Sequence, residues 1–597
     1  MPVSEVTDYH FGDFSLDVAS LRLCQAGAPI ALERRPATLL LLLLRHAGKL
    51  VPRSLIVSEL WGDNVHVETE LGMNTAVRKL RRALGDDADD PAFVETVPRL
   101  GYRFIAEVRV SAPKRRHLLA VLPFEDLSFG EERYEHLASG FTEDTIARLG
   151  QVAPDRLCVL GRISTTSLRQ SGHDPASVAR ELGADYLVEA SFRAEAGRLR
   201  VVAKLIESRS QRQVWSESYD AEPTRILAFQ DLVSRTIATR ISVHLNDGVA
   251  ASLLRRQSTN GAAFELYTRG RHLWHGHSRA TNEAAIRHYR EALTLDPDYA
   301  LAWAGLAETL ALAPVTADVA PSLVFEEASH AAARGVATGP HLVETWTARG
   351  FFRFWLERDW TGAEQDFRRA IAIDPNYGFA QRMLGVVLSH GGIHAEARQA
   401  IQRACELDPL YAMHHALASQ IAFQARDYVA AAEHARHATV VAPDFWIGHH
   451  MLAQARERLG DHDGMFAASA TALGLGNNNS KTLGVQAYAL AQLGRTSEAT
   501  AILEACEIAS TVRFVPPQPV ALMLLGLGRH EAALSMLDRA LSVGDVNLAF
   551  LTQDPKFDPL RGHPRFEALL ERAGLRATTN LHPAAMLNSA WRHTGAD

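Results

Sequence analysis

Asn74, Thr75, Arg78, Lys79, Arg81 and Arg82 crowd into one short stretch of the chain. Arg and Asn side chains make paired hydrogen bonds to base edges, and Arg or Lys holds phosphate oxygens, so on one helix face these residues can read DNA. Met73, Val77, Leu80 and Leu84 recur between them at helical spacing and would turn the opposite face toward a core. An acidic turn follows, then a short hairpin closing on Gly101-Tyr102-Arg103-Phe104. A solvated surface helix also carries a basic face, so the surrounding elements have to decide between the two readings.

Residues 36–46 read as a buried helix and residues 53–61 as a second one, begun by Ser54 and closed by Gly62. Phe11, Phe14, Leu16, Leu21, Leu23, Ile30 and Leu32, broken by Gly27-Ala28-Pro29, read as several short strands ahead of them. Over residues 8–108, strands, three helices and a terminal hairpin resemble the α+β winged helix of OmpR/PhoB-type regulators and CadC- and ToxR-like activators. The resemblance rests on Trp61-Gly62, on the run from Val77 to Asp86, and on Thr96-Val97 leading to Gly101-Tyr102-Arg103-Phe104. By position it implies base or phosphate contacts from Asn74, Thr75, Arg78 and Lys79, phosphate contacts from Arg81 and Arg82, and wing contacts from Thr96, Arg99, Tyr102 and Arg103. Many relatives carry Arg directly after Thr-Val, whereas Pro98 precedes Arg99 here, so a displaced or missing wing contact is expected.

Charge alone does not pull this region to DNA. Residues 1–116 hold 16 Lys or Arg against 15 Asp or Glu, and the whole chain carries a formal charge of −7. Attraction must come from local arrangement, and a modest monomer affinity follows; a homodimer or tandem sites would raise occupancy. The composition, 47% hydrophobic and 22% charged, is ordinary for globular domains, and 597 residues allow three or four of them. The longest aliphatic run, residues 39–44, is far too short to span a bilayer, and the start lacks a signal-peptide pattern, so a cytoplasmic protein with no membrane segment is expected. Cys24, Cys158, Cys405 and Cys506 are scattered, which argues against a disulfide framework or a zinc cluster.

After a basic linker at residues 109–116, strand and helix patterns alternate over residues 117–247. Strands are expected at 117–124, 157–160, 186–193 and 199–207, the last two joined through Gly197, and helices at 134–149, 175–182 and 226–245. The stretches at 120–128, 140–149, 178–193 and 215–220 resemble the small α/β domain, similar to the N-terminal domain of TolB, that precedes repeats in many bacterial regulators and in the accessory half of some class III adenylate cyclases. Glu143-Asp144 and the Ser164 to Ser167 cluster are possible chemistry, but acids at a helix start complement its dipole and hydroxyl clusters cap or turn. No phosphate-binding loop, dinucleotide fingerprint or HExxH motif is present, and neither catalysis nor a cofactor is expected.

From about residue 260 the chain repeats every 34 residues. Ala370, Ala404, Ala438, Ala472, Cys506 and Ala540 form one column, Ala363, Ala397, Ala431, Met465, Ala499 and Ala533 a second, and Phe351, Gly385, Ser419, Ala453, Ala487 and Ala521 a third. Pro375, Pro409 and Pro443 end successive units. This is the tetratricopeptide pattern, about eight repeats over residues 260–548 with an insertion near 313–323, followed by a loop and capping helix at 549–577 and an expected mobile end at 578–597. Such an all-α solenoid presents a concave binding surface. Repeat position turns Phe352, Trp355, Phe379, Arg382, Met413, Phe423, His450 and Gln454 toward it, although aromatic residues at that spacing also build the core between repeats. The histidines, including His272, His275 and His277, the neighbours His414-His415 and His449-His450, and His434 with His437, are read as surface or packed residues, not metal ligands.

The expectation is a multidomain one-component regulator that binds double-stranded promoter DNA, with the α/β and repeat regions receiving a protein partner or small-molecule effector. HilA-like soluble activators resemble this architecture, and family resemblance adds RNA polymerase contact near residues 62–70. The alternatives are a repeat scaffold whose winged helix binds protein, and a nucleotide-linked enzyme using residues 117–247.

Overall fold

The computed structural model describes residues 8–17, 21–25, 28–30, 32–61, 69–111, 116–128, 135–150, 157–195, 198–221, 232–234, 236–237, 239–241, 260–274, 279–476 and 478–575. The chain divides into two compact units, Met1–Arg116 and His117–Asp597.

In the first unit, β1 (Asp8–Phe11), β2 (Phe14–Asp17), β3 (Leu23–Gln25) and β4 (Ala28–Ile30) form an antiparallel meander. Strand β8 (Arg109–Ser111) pairs along the free side of β1. Helices α1 (Arg34–Arg45), α2 (Arg53–Trp61) and α3 (Thr69–Leu84) follow the meander, and a second sheet has the order β5 (Leu50–Pro52), β7 (Gly101–Phe104), β6 (Val94–Val97). The consecutive leucines of α1 are buried and pack with Phe11, Phe14, Phe104 and the apolar face of α3 in one core. Edge-to-face rings at 5.1 Å (Phe11 and Phe104) and 5.4 Å (Phe14 and Phe93) join the meander to the hairpin side. Gly101 is required where β7 crosses β5, because a Cβ there would collide with the Val51 carbonyl oxygen. Gly62, and with it residues 62–68 of the segment expected to reach RNA polymerase, lies outside the described residues.

The second unit opens with β9 (His117–Val121), β10 (Glu125–Asp126), α4 (Glu135–Gly150), β11 (Leu157–Val159), α5 (Arg162–Gln170) and α6 (Pro175–Leu182). Three longer strands complete the sheet: β12 (Tyr186–Glu195), β13 (Arg198–Glu207) and β14 (Arg212–Ala221). The order is β11-β9-β12-β13-β14, with β10 beside β12; β9 runs parallel to β11 and β12, and the remaining long strands are antiparallel. Helix α5 and strand β14 are additions to the sequence expectation. The α5 segment is rich in hydroxyl and β-branched residues, poor helix formers, and its first turn is held by a carboxylate from the repeats, a tertiary partner no local pattern displays. Gly197 and most of the helix expected at 226–245 lie outside the described residues, but Val233, Ile237 and Ile241 are buried at a four-residue spacing.

Among the described residues, eight antiparallel helix pairs run from Gly261–Trp274 with Arg279–Leu295 to Pro517–Gly526 with His530–Ser542. The three small-residue columns are buried where paired helices cross; at Gly385 an added Cβ would stand 3.0 Å from the Ala397 carbonyl oxygen. Asp359, Asp427 and Asp461, at multiples of the repeat length, cap second helices by accepting from the amides of Gly362, Ala430 and Gly464. The region expected as an insertion is mostly helix: Ala300–Thr316 runs through Pro314, and a 3-10 turn, Pro321–Leu323, leads into Phe325–Thr338. Beyond the last pair, 3-10 segments Val546–Phe550 and Pro555–Leu560 precede helix Pro564–Arg572. The end expected at 578–597 is outside the described residues.

Among the described residues, no helix is long and apolar enough to cross a membrane, and no cluster of three or more His, Cys, Asp or Glu could hold a metal ion.

Candidate nucleic-acid interface and repeat cavity

Met73, Ala76, Val77, Leu80 and Leu84 seat α3 in the first unit's core, leaving Asn74, Arg78, Lys79 and Arg82 exposed and Thr75 and Arg81 half-buried. The ten residues expected at DNA then separate by what already occupies them. Arg81 Nη2 donates to the Val94 carbonyl at 2.6 Å and to Thr96 Oγ1 at 2.9 Å. Its Nε lies 4.0 Å from Asp86 Oδ2, and Asp86 accepts from the backbone amides of Ala92, Phe93 and Val94 at 2.7, 3.0 and 2.8 Å. The acidic turn therefore ties the helix end to the hairpin, and Arg81 and Thr96, expected at phosphate and wing, are engaged within the fold. Tyr102, expected in the wing, is engaged too: its ring is buried beneath the Arg53 guanidinium, 5.8 Å from the ring centroid, and its hydroxyl donates to Asn74 Oδ1 at 3.2 Å, bracing that side chain.

Arg103 faces Glu95 across the hairpin at 3.4 Å, and Lys79 pairs with Glu33 at 2.5 Å; both pairs are solvated and readily exchanged. Arg78 and Arg82 on α3, and Arg99 in the hairpin turn, are exposed and make no ion pair among the described residues. Arg99 takes a left-handed φ of 66°, with Pro98 before it and Leu100 bonded back to Val97. Pro98 thus moves the hairpin's cation from the strand to the turn.

In the second unit, seven of the eight residues expected on the concave surface, Trp355, Phe379, Arg382, Met413, Phe423, His450 and Gln454, line one cavity of about 1370 Å³, partly open to solvent. Phe352 does not. Its helix passes into a π-helical turn, Arg353–Glu357, and Phe351 shares the cavity face with Trp355 while Phe352 packs on Phe325 at 5.5 Å. Lys481, Ile447 and Trp446 line the same cavity and were missed, although Phe379, Met413, Ile447 and Lys481 follow one another at the repeat length.

The chain's own tail covers part of this surface. Phe550 stands 5.7 Å from the Trp355 ring, Gln553 Nε2 donates to the His390 carbonyl at 3.3 Å, and Lys556 Nζ donates to Gln454 Oε1 at 2.7 Å. Burial holds the nearby histidines neutral: His390 is pushed down to about 4 and His450 to about 3, His450 also by Lys481 and Lys556.

A second cavity, of about 1310 Å³, lies where α4 and α5 meet the first repeats. Its polar wall holds Arg271, which reaches Glu308 at 3.1 Å and Glu143 at 3.8 Å; burial raises Glu308 to about 7 against the opposing pull of Arg271. At its edge, Asp408 of the repeats accepts from the amides of Ser164 and Ile163 at 2.8 and 3.2 Å and from the Ser164 hydroxyl. Asn376 donates to the carbonyls of Gly150 and Leu157 at 3.2 and 3.3 Å. The hydroxyl cluster is thus a docking point for the repeats, and the Asp-Pro that ends a repeat supplies its partner.

The first unit is thus a winged helix whose third helix carries two exposed arginines that make no ion pair among the described residues, and the second unit carries helical repeats. Residues 27–104 match the family described as transcriptional regulatory protein, C terminal, and residues 115–236 match the second domain of HilA/YgeH-like transcriptional regulators. The chain thus joins an OmpR/PhoB-type winged helix of the DNA-binding, transcription-regulating kind to a HilA-like second domain and tetratricopeptide-type repeats. It is similar to putative adenylate cyclase 3 of Rhizobium meliloti (34% identity over 188 residues, 32% of each chain). It is similar also to the transcriptional activator protein IrlR of Burkholderia pseudomallei (35% over 112 residues, 19% of this chain and 47% of that one). A third relative is the transcriptional regulator HilA of Salmonella typhi (29% over 194 residues, 32% of each). The matches span about a third to a half of these relatives' lengths.

Proposed function

We propose that this protein is a one-component transcriptional regulator that binds promoter DNA through α3 and the β6–β7 hairpin and receives its signal in the second unit. The observation that carries the reading is the sorting of cations on α3: Arg78 and Arg82 stand exposed and unpaired among the described residues while Arg81 is spent inside the fold. Cations without intramolecular partners can exchange counterions for phosphates at no cost in broken ion pairs. Asn74, held by Tyr102, is the pre-oriented candidate for base-edge recognition, with Arg78 beside it; Arg82, Lys79 and the turn residue Arg99 are assigned to phosphates, and Thr75 and Arg103 border the face.

The first unit is nearly charge-neutral, so binding as a homodimer or at tandem sites would supply occupancy. Contact with RNA polymerase, a cytoplasmic location and a non-enzymatic role belong to the same reading. The partly open cavity lined by repeat and tail supports reception of a small effector in the second unit. Mobility shifts on the DNA upstream of the protein's own gene test the assignment: Arg78→Ala/Arg82→Ala should weaken binding with no loss of thermal stability, and equal binding by the double variant would overturn it.

A further inference from the structure

Arg382 is a charged side chain of the cavity wall that the fold leaves without a hydrogen-bond or ion-pair partner among the described residues. It is 5% exposed, and neither Nε nor Nη1 has a hydrogen-bond partner; it makes no ion pair among the described residues. Its guanidinium lies between the rings of Phe379 and Tyr411, at 4.4 and 5.4 Å from their centroids, and it lines both cavities of the second unit. An isolated buried guanidinium is costly, and stacking on two rings offsets only part of that cost. Its planar fork matches a carboxylate, sulfonate or phosphate.

The rest of the cavity lined by Trp355 and Phe423 suits the same ligand. Lys481 adds a second cation on its wall, whereas the one carboxylate there, Asp554, is matched by Lys556 at 3.3 Å. Trp274, Phe351, Trp355, Phe423, Trp446 and Phe550 supply apolar wall, and the indole N–H of Trp355 is buried with no hydrogen-bond partner among the described residues. The tail segment laid over this surface favours a compact molecule over an extended peptide. We infer that the cavity is a binding site for a small organic anion with an aromatic or aliphatic body, its acidic group held by Arg382 and its body by the surrounding rings. This rests on the reading of the second unit as the receiving half, and it names the chemistry received.

The test uses the full chain and two fluorescent probes with nearly the same body, anilinonaphthalene sulfonate and neutral phenylnaphthylamine. The sulfonate should bind at one site per chain, and Arg382→Gln should weaken it by about tenfold or more, the scale of a lost charge-assisted pair. The neutral probe should bind both proteins alike, and Arg382→Lys should recover part of the sulfonate affinity. Unchanged sulfonate binding in Arg382→Gln, or an equal loss of both probes, would overturn the inference, the latter by showing that Arg382 only props the cavity open. Mobility shifts without probe should be the same for Arg382→Gln and the parent protein, so a failure of the anion site and a failure of DNA binding register separately.

Discussion

Arg81 and Arg82 are neighbours in sequence with opposite fates, and the difference can be measured. Arg81→Ala removes two hydrogen bonds and the partner of buried Asp86, so it is expected to destabilise the first unit by ~1–3 kcal/mol in chemical unfolding. Arg82→Ala, at an exposed site, should change stability by less than about 0.5 kcal/mol. Gly101→Ala forces a methyl group against the Val51 carbonyl and should cost ~1–3 kcal/mol or prevent folding of the hairpin. The residue types of the proposed DNA face were legible in the sequence because helical period separates the apolar face from the basic one. Which cations were already engaged was not, since the partners of Arg81, Thr96 and Tyr102 sit on other elements and depend on how the hairpin folds back. The proposed concave set was legible for a related reason: a fixed repeat length carries one position's environment to the next, and it failed at Phe352, which packs on Phe325 instead of lining the cavity.

At the scale of elements, the small-residue columns and the helix-ending prolines made the repeats readable, since close helix crossing tolerates little else. Helix α5 was not readable. Its N-terminal amides are satisfied by Asp408, more than two hundred residues away in sequence, and burial lifts that carboxyl to about 6 despite the Ser164 and Ile163 bonds. Asp408→Ala should therefore loosen α5 without unfolding the repeats. The check is hydrogen exchange: the amides of Ile163 and Ser164 should lose protection while those of helix Ala412–Gln424 keep theirs, and uniform loss across both would show that Asp408 supports the whole repeat stack.

At the scale of the whole molecule, buried histidines make the second unit sensitive to acid. His390 and His415 are held at about 4, His450 at about 3 and His414 well below its ordinary value, all chiefly by burial. A histidine with a depressed folded-state pKa takes its proton first in the unfolded chain, so stability is full above about 6.5 and falls as pH drops toward the folded values. Glu308, raised to about 7, and Asp408, raised to about 6, act in the opposite sense, gaining stability on acidification. With His394 and His434 also lowered and Asp545 also raised by burial, the histidines outnumber the acids, and the thermal midpoint of the second unit should fall between pH 7 and pH 5; a flat or rising midpoint would count against their burial. The proposed function depends above all on the first unit's exposed cations. The most direct measurement is the salt dependence of affinity for a promoter fragment, for the parent chain and for Arg78→Ala/Arg82→Ala. Loss of the phosphate partner Arg82 and of Arg78 at the base edges should weaken binding and reduce the slope of log affinity against log salt by about one, whereas an unchanged affinity and slope would contradict the placement of α3 on DNA.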